Sequence, residues 1–261
     1  MTILDEINNH KRREIEEAKA KISIQQLMLS SYFKRKTNSL KAALLKEGAS
    51  GIIAEFKTKS PSKGVINADA EVSETTAGYV AAGVSGISVL TDSRYFGGSL
   101  ENLAKARQAN PNTPILRKDF MLDPYQIYEA KAHGADLILL IAESLSKELL
   151  LELTLKAKEL GLEVLVEIHS EEELAKLNPY VDIVGVNNRD LRTFVVDVET
   201  SVRLSKLIPE QFVKISESGI SNPKNIAKLS DAGFKGYLIG ETFMKTADPA
   251  KACAEFINSL K

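Results

Sequence analysis

The stretch Gly51–Ile66, GIIAEFKTKSPSKGVI, is where the chain changes character. Residues before it follow a helical pattern, and from it onward short apolar runs alternate with amphipathic ones. Gly51–Phe56 is a short apolar run that suits a buried parallel strand. It then delivers Glu55, Lys57 and Lys59 in alternation before Ser60-Pro61-Ser62 breaks the chain. Alternation at period two sends those three side chains to one face of an extended segment. They read either as a solvated ion pair at a strand end or as a carboxylate and two ammonium groups gathered for chemistry.

Working toward the C-terminus, further strands are expected at Gly86–Leu90, Pro114–Arg117, Asp136–Ile141, Glu163–Ile168, Asp182–Val186, Phe212–Ser216 and Gly236–Ile239. Helical patterns are expected at about Ala70–Ala82, Leu100–Ala109, Pro124–His133, Lys147–Leu160, Glu171–Leu177, Val198–Leu207, Asn222–Asp231 and Ala250–Leu260. Gly83, Gly134, Gly161 and Gly233 each follow a helix and precede a strand. Strands apolar throughout imply a sheet covered on both faces, hence parallel strands with helical crossovers. Eight such units in 261 residues fit a (β/α)8 TIM barrel, typically about 250 residues, better than a doubly wound open sheet. No GxGxxG follows the first strand, and the glycine-rich sites come after the seventh and eighth.

Toward the N-terminus, Ile3, Ile7, His10, Ile15 and Ala18 form a stripe on a charged helix, with shorter helical regions at Ile24–Leu29 and Ser39–Leu45. Residues 1–48 are read as a helical extension packed on a catalytic barrel of residues 49–261. The extension either covers the barrel's bottom or side or serves as a lid that touches ligand.

Composition narrows the function classes. A net charge of −1 provides no global field for nucleic acid, and no apolar run approaches the roughly 20 residues of a membrane span. Met1–Lys21 carries no signal-peptide pattern, so a cytoplasmic location is expected. The single cysteine, Cys253, excludes an internal disulfide or cysteine cluster. His10, His133 and His169 are too scattered for a zinc site, so no metal is expected.

In a (β/α)8 barrel, reactive side chains project from the C-terminal ends of the strands. Charges gather there: Glu55, Lys57 and Lys59; Arg117-Lys118-Asp119; Glu167; Asn187-Asn188-Arg189; Glu217; Glu241. Lys118, flanked by Arg117 and near Lys57, is expected to have a lowered pKa, and Glu167, ending an apolar run, a raised one. Glu55 with Lys57 and Glu167 with Lys118 are either acid–base pairs or structural ion pairs across the mouth. Ser218-Gly219-Ile220 before Ser221-Asn222-Pro223, with Gly240-Glu241 after the eighth strand, offers two turns whose backbone N–H groups can hold a phosphate.

The segments IIAEFKTKSPSKG, SVLTDSRYFGGS, ILRKDFMLDPYQIYEA, LVEIHSEEEL, VGVNNRDLRTF, SESGIS and YLIGETFMK together resemble the indole-3-glycerol-phosphate synthase family of tryptophan biosynthesis, in one order over nearly the whole chain. The resemblance implies a carboxy-lyase without a cofactor. It would convert 1-(2-carboxyphenylamino)-1-deoxyribulose 5-phosphate to indole-3-glycerol phosphate, with loss of carbon dioxide and water. It further implies Lys118 as principal acid, Glu167 as general base, and Glu55 with Lys57 as a second pair tied to dehydration. Asn187 would orient substrate, Glu217 and Ser218 would belong to the site, and Ser60 and Arg189 would contact anionic groups. Gly219, Gly240 and the Glu241 backbone would hold phosphate, while Phe96 and Phe120 pack either on the substrate ring or in the core. Other tryptophan-pathway enzymes are the protein partners it suggests.

Two departures stand out. The chain has no tryptophan, and the doubled glycine of Phe96-Gly97-Gly98 is expected to make that loop more mobile. Phosphoribosylanthranilate isomerase, which has the same fold, resembles a Cys/Asp pair with cysteine ending the first strand, where this chain has Glu55. A noncatalytic phosphate-ligand binder or pathway scaffold is the other alternative, and the intact acid–base residues speak against it.

Overall fold

The computed structural model describes residues 2–190 and 193–260, and its central feature is a closed parallel barrel of eight strands. The strands are Ile52–Phe56, Gly86–Leu90, Ile115–Lys118, Leu137–Ile141, Glu163–Ile168, Ile183–Asn187, Val213–Glu217 and Gly236–Ile239. Closure comes where the first strand pairs with both the second, through Ile53 opposite Gly86, and the eighth, through Ile52 opposite Tyr237. An open sheet is thereby excluded. The strand and helix bounds lie within a few residues of those expected, except that Glu172–Lys176 is a 3-10 helix.

Period-two alternation splits the core into two shells. Ile52, Ala54 and Phe56 point outward into the layer shared with the helices, together with Val89, Val166 and Val186. Inward point Ile53, Leu116, Leu139, Leu165, Ile183 and Leu238, which fill the barrel. Continuing the inward parity to the strand ends brings Glu55, Lys118, Glu167, Asn187 and Glu217 to the upper rim.

The N-terminal helices occupy both ends of the barrel. Leu40–Leu45 plugs the bottom, with Leu40 and Leu44 in the inner cluster. Glycines make room for it: a Cβ on Gly86 would lie 2.6 Å from Leu40 Cδ1. The Glu163 carboxylate caps this helix, accepting from the Leu40 and Lys41 backbone N–H groups at 2.8 and 3.1 Å, where the helix dipole favours negative charge.

At the opposite end lies Ile3–Lys21, started by a capping box between Thr2 and Asp5. Its buried stripe is Leu4, Ile7, Asn8, Lys11 and Ile15, whereas Ile3, His10 and Ala18 are only half-buried. The apolar pattern alone placed the stripe slightly off, because a lysine sits at its centre. Lys11 Nζ reaches Glu14 at 2.7 Å, and Asp92 and Asp119 each at 2.9 Å. The helix is thus pinned to the loops that follow the second and third strands.

Candidate active site

The rim residues and the loops above them enclose a cavity of about 510 Å³, within the range of small-molecule sites. Glu55, Lys57, Ser60, Phe96, Lys118 and Phe120 line it on the side of the first three strands. Glu167, Asn187, Arg189 and Glu217 line the other side, with Ser218, Gly219, Gly240 and Glu241 at the two glycine turns. All the residues that the family resemblance assigned to the site therefore line one cavity.

Two ion pairs face each other across it. Lys57 Nζ lies 2.7 Å from Glu55 Oε1, and Lys118 Nζ lies 2.8 Å from Glu167 Oε2 while also touching Glu217 Oε2. Asn187 Nδ2 donates to Glu167 Oε1 at 3.1 Å and so fixes the carboxylate's second oxygen.

The expected pKa directions are reversed. Burial would lower Lys118, but Glu167, Glu217 and Glu55 outweigh it and push the ammonium above the ordinary lysine range. Arg117 cannot lower it, because the next residue on a strand points to the other face. Its guanidinium is bound outside the barrel by Asp119 at 2.9 Å and the Gln126 carbonyl at 2.8 Å. Burial would likewise raise Glu167, but Lys118 and His169 hold it well below the usual carboxylate range. Glu217 is the carboxyl that burial lifts, to about 7, with Lys118 opposing and Glu167 adding to the rise. Three carboxylates here share two ammonium groups, and Glu217 is where the excess charge is most readily neutralised.

Lys59 also departs from expectation. The first strand ends at Phe56, and Lys59 belongs to a separate two-residue ladder in which it pairs with Val65. Its ammonium donates to the Arg94 carbonyl at 3.0 Å, away from the Glu55 pair. That ladder instead presents Ser60, whose buried hydroxyl has no hydrogen-bond partner among the described residues. Phe96 and Phe120 are half-buried and 6.0 Å apart between ring centroids. The glycines after Phe96 are close-packed: a Cβ on Gly98 would lie 2.1 Å from the Leu90 carbonyl oxygen, and one on Gly97 2.6 Å from Thr58 Oγ1. Contact accounts for Gly98, while Gly97 takes a φ of 65° as the left-handed residue that ends the short helix Ser93–Phe96.

At the first glycine turn, Ser218 and Gly219 take φ of 67° and 72°. The Ser218 conformation is unusual for a residue with a Cβ, and the Asn188 side chain holds its carbonyl at 3.0 Å. At the second, Gly240 precedes the short helix Glu241–Met244, with Glu241 facing Arg189 at 3.9 Å and Lys63 at 4.0 Å.

A family model for indole-3-glycerol phosphate synthase matches residues 4–256. The chain belongs to the indole-3-glycerol phosphate synthase family. Its relatives include proteins of that name from Bacteroides thetaiotaomicron, 49% identical and aligned over 99% of both chains, and from Carboxydothermus hydrogenoformans, 44% identical over 95% of this chain and 97% of the relative. Similar solved structures include 3-hexulose-6-phosphate synthase from Salmonella typhimurium, with a TM-score of 0.63 and 14% identity, covering 81% of this chain and 100% of the other. Thiamine phosphate pyrophosphorylase from Pyrococcus furiosus has a TM-score of 0.59 and 17% identity, covering 85% and 99%. At such identities they share the barrel fold alone.

For a member of the indole-3-glycerol phosphate synthase family, several lining residues escaped the sequence reading. Ile3, Leu4 and Ile7 of the N-terminal helix wall the cavity, so the extension covers the mouth with one helix and the bottom with another. Their apolar stripe was visible, but not which end of the barrel it would meet. Lys63, Phe194 and Lys245 also line the site. Lys63 in the KSPSKG run and Lys245 at the end of YLIGETFMK could have been picked out by their charge; Phe194 carried no such signal.

Gly240 is required for space alone, since its φ of −122° suits any residue. A Cβ there would lie 2.6 Å from Glu55 Oε1 and 3.0 Å from Glu55 Cβ. Gly240→Ala is expected to displace Glu55 from Lys57 and lower kcat/KM by about 10²-fold, the scale of an ångström-level misplacement. Circular dichroism of the folded variant, measured alongside the steady-state rates, checks this.

Proposed function

We propose that the mouth of this barrel converts 1-(2-carboxyphenylamino)-1-deoxyribulose 5-phosphate to indole-3-glycerol phosphate, with Lys118 as the leading acid and Glu167 as the base. The observation that carries the reading is the pairing of Lys118 with Glu167 directly across from Lys57 with Glu55. Lys118 hydrogen-bonds the substrate ketone and passes its proton as negative charge develops on the oxygen, while the ring carbon bearing the carboxylate attacks. Carbon dioxide leaves with restoration of the aromatic ring. The new hydroxyl then departs as water, protonated from the Lys57 side, as a carboxylate removes the proton from the adjacent carbon.

The raised Lys118 pKa keeps the acid loaded throughout the neutral range, and the depressed Glu167 keeps the base ionised. Gly219, Gly240 and the Glu241 backbone take the phosphate at the barrel's usual anion position. Arg189 and Ser60 contact the anionic groups, and Phe96 and Phe120 face the substrate ring. The same reading takes residues 49–261 as the catalytic unit and 1–48 as its packed extension. It places the protein in the cytoplasm with other tryptophan-pathway enzymes as neighbours. No helix among the described residues is long and apolar enough to cross a membrane.

The test is to supply the carboxyphenylamino-deoxyribulose phosphate and follow the fluorescence of the indole product. Turnover by the wild type is expected. A protein that binds the product without forming it would be a noncatalytic binder instead. Glu167→Gln is expected to lose about 10²- to 10⁴-fold in kcat, and full activity in it would remove Glu167 from the mechanism.

A further inference from the structure

Behind Glu167, on the side away from the substrate cavity, stands His169. Its ring lines a neighbouring cavity of about 530 Å³ and not the site itself. Nε2 is 3.4 Å from Glu167 Oε1, and Nδ1 is 3.7 Å from Glu173 Oε2 and 3.9 Å from Glu143 Oε2. Glu173 is anchored by accepting the His169 backbone N–H at 2.9 Å, so the carboxylate and the ring are set by the same turn. The imidazole is only 12% exposed.

Both ring nitrogens thus face carboxylate oxygens. Neither nitrogen completes a hydrogen bond among the described residues, so these are charge contacts. A neutral imidazole has one nitrogen bearing a lone pair, and here that lone pair would stand near carboxylate oxygens whichever tautomer formed. Only the doubly protonated ring offers N–H on both sides. We propose that His169 is a positioning residue of the ring-closing site: an imidazolium, held from behind by Glu143 and Glu173, that keeps Glu167 oriented and ionised while Lys118 gives up its proton.

The need for such a charge follows from the front of Glu167. While Lys118 is charged, its ammonium holds Glu167 and Glu217 together. Once that proton passes to the substrate, the two carboxylates face each other with a neutral amine between them. A base in that state would be pushed toward protonation. A cation that the reaction never consumes, touching the oxygen of Glu167 that does not face Lys118, prevents this. Asn187 shares that oxygen but brings no charge. Among the described residues, the other charged groups around the neighbouring cavity are Arg189, Asp190, Asp197 and Arg203. Burial opposes the charge on His169, but Glu167 and Glu173 outweigh it and lift the ring to about 10.

The inference rests on the acid–base reading given above, and two measurements separate the two. The first needs no turnover. The chain has three histidines, so nitrogen NMR of the labelled protein, compared with His169→Gln, identifies the His169 signal. The ring is expected to stay doubly protonated to above pH 8; a neutral ring at pH 7 overturns the proposal. The second is the pH dependence of kcat/KM. In His169→Gln the acid limb, set by the need for ionised Glu167, is expected to move up by about one pH unit, the size of losing one adjacent cation. At pH values on that limb the rate then falls about tenfold further than at the plateau. A limb that stays in place while only the plateau or the thermal stability changes means that His169 merely fills space.

Glu173→Gln provides the independent variant, since it keeps the ring but removes a supporting carboxylate. Its His169 signal is expected to titrate at lower pH than in wild type, and the rate to acquire an alkaline inflection at the same pH. An unchanged titration, or a ring that titrates without the rate following, overturns the proposal. Should wild type form no product, the functional reading fails while the NMR titration still decides the charge on His169.

Discussion

Lys118→Ala is expected to lower kcat for ring closure by about 10²- to 10⁴-fold, the range for removal of a positioned acid. Among the described residues the side chain is the one cation shared by Glu167 and Glu217, both almost fully buried. Its removal takes away the proton donor and leaves two carboxylates facing each other, with Lys57 engaged by Glu55 at 2.7 Å. The pair then keeps a proton, which Glu217, already lifted to about 7, takes more readily than Glu167. Lys118→Arg separates these effects. It restores a permanent charge and quiets the carboxylates, but a guanidinium does not give up a proton at working pH. Single-turnover fluorescence is therefore expected to stay slow in both variants, while thermal stability recovers in the arginine one. A rate within tenfold of wild type in Lys118→Ala would move the acid role to Lys57.

Lys11→Met is expected to cost about 3–5 kcal/mol of stability, the usual consequence of breaking a buried ion network from one side. Methionine fills most of the volume but leaves Asp92 and Asp119, both nearly inaccessible, without the ammonium at 2.9 Å from each. Urea unfolding at pH 7 measures the loss.

The sign with pH follows from the two partners. Burial alone would raise Asp119, but Lys11 and Arg117 outweigh it and hold the carboxyl at about 2, below the ordinary aspartate value of 3.8. Its contribution is present above the unfolded value and disappears as pH falls toward 2. Lys11, despite its burial, is raised above the ordinary lysine value of 10.5 by Asp119 and Asp92. Its share is complete below that value and is lost only in strong alkali. The gap between wild type and Lys11→Met is therefore level from about pH 5 to 9 and closes toward pH 2. A gap that persists undiminished at pH 2 would trace the loss to packing instead of charge. Because Ile3, Leu4 and Ile7 on the same helix wall the cavity, KM is expected to rise in this variant at temperatures where it remains folded.

How far the fold could be read from the chain is clearest in the strands. Ile53 and Glu55 share a parity, as do Leu116 and Lys118, and Leu165 and Glu167, and the structure carries each apolar member into the barrel and each charged one to its rim. The helical extension was equally legible as a stripe, but Lys11 was not, because a lysine on an amphipathic helix ordinarily lies in water. Nothing local indicates that two aspartates from loops some 80 and 110 residues later close over it.

The amino-acid sequence by itself determined the period of each segment, hence the eight strands, their inward parity and the inventory of acids, bases and glycines at their ends. Tertiary structure decided which of those groups meet. Barrel closure set Lys118 among carboxylates from other strands, reversing both expected pKa directions, and it placed His169 behind Glu167. The division has one physical cause. Parity and propensity are properties of neighbours along the backbone, whereas charge state depends on burial and on the charges within a few ångströms in space, which distant segments supply only after the chain has folded.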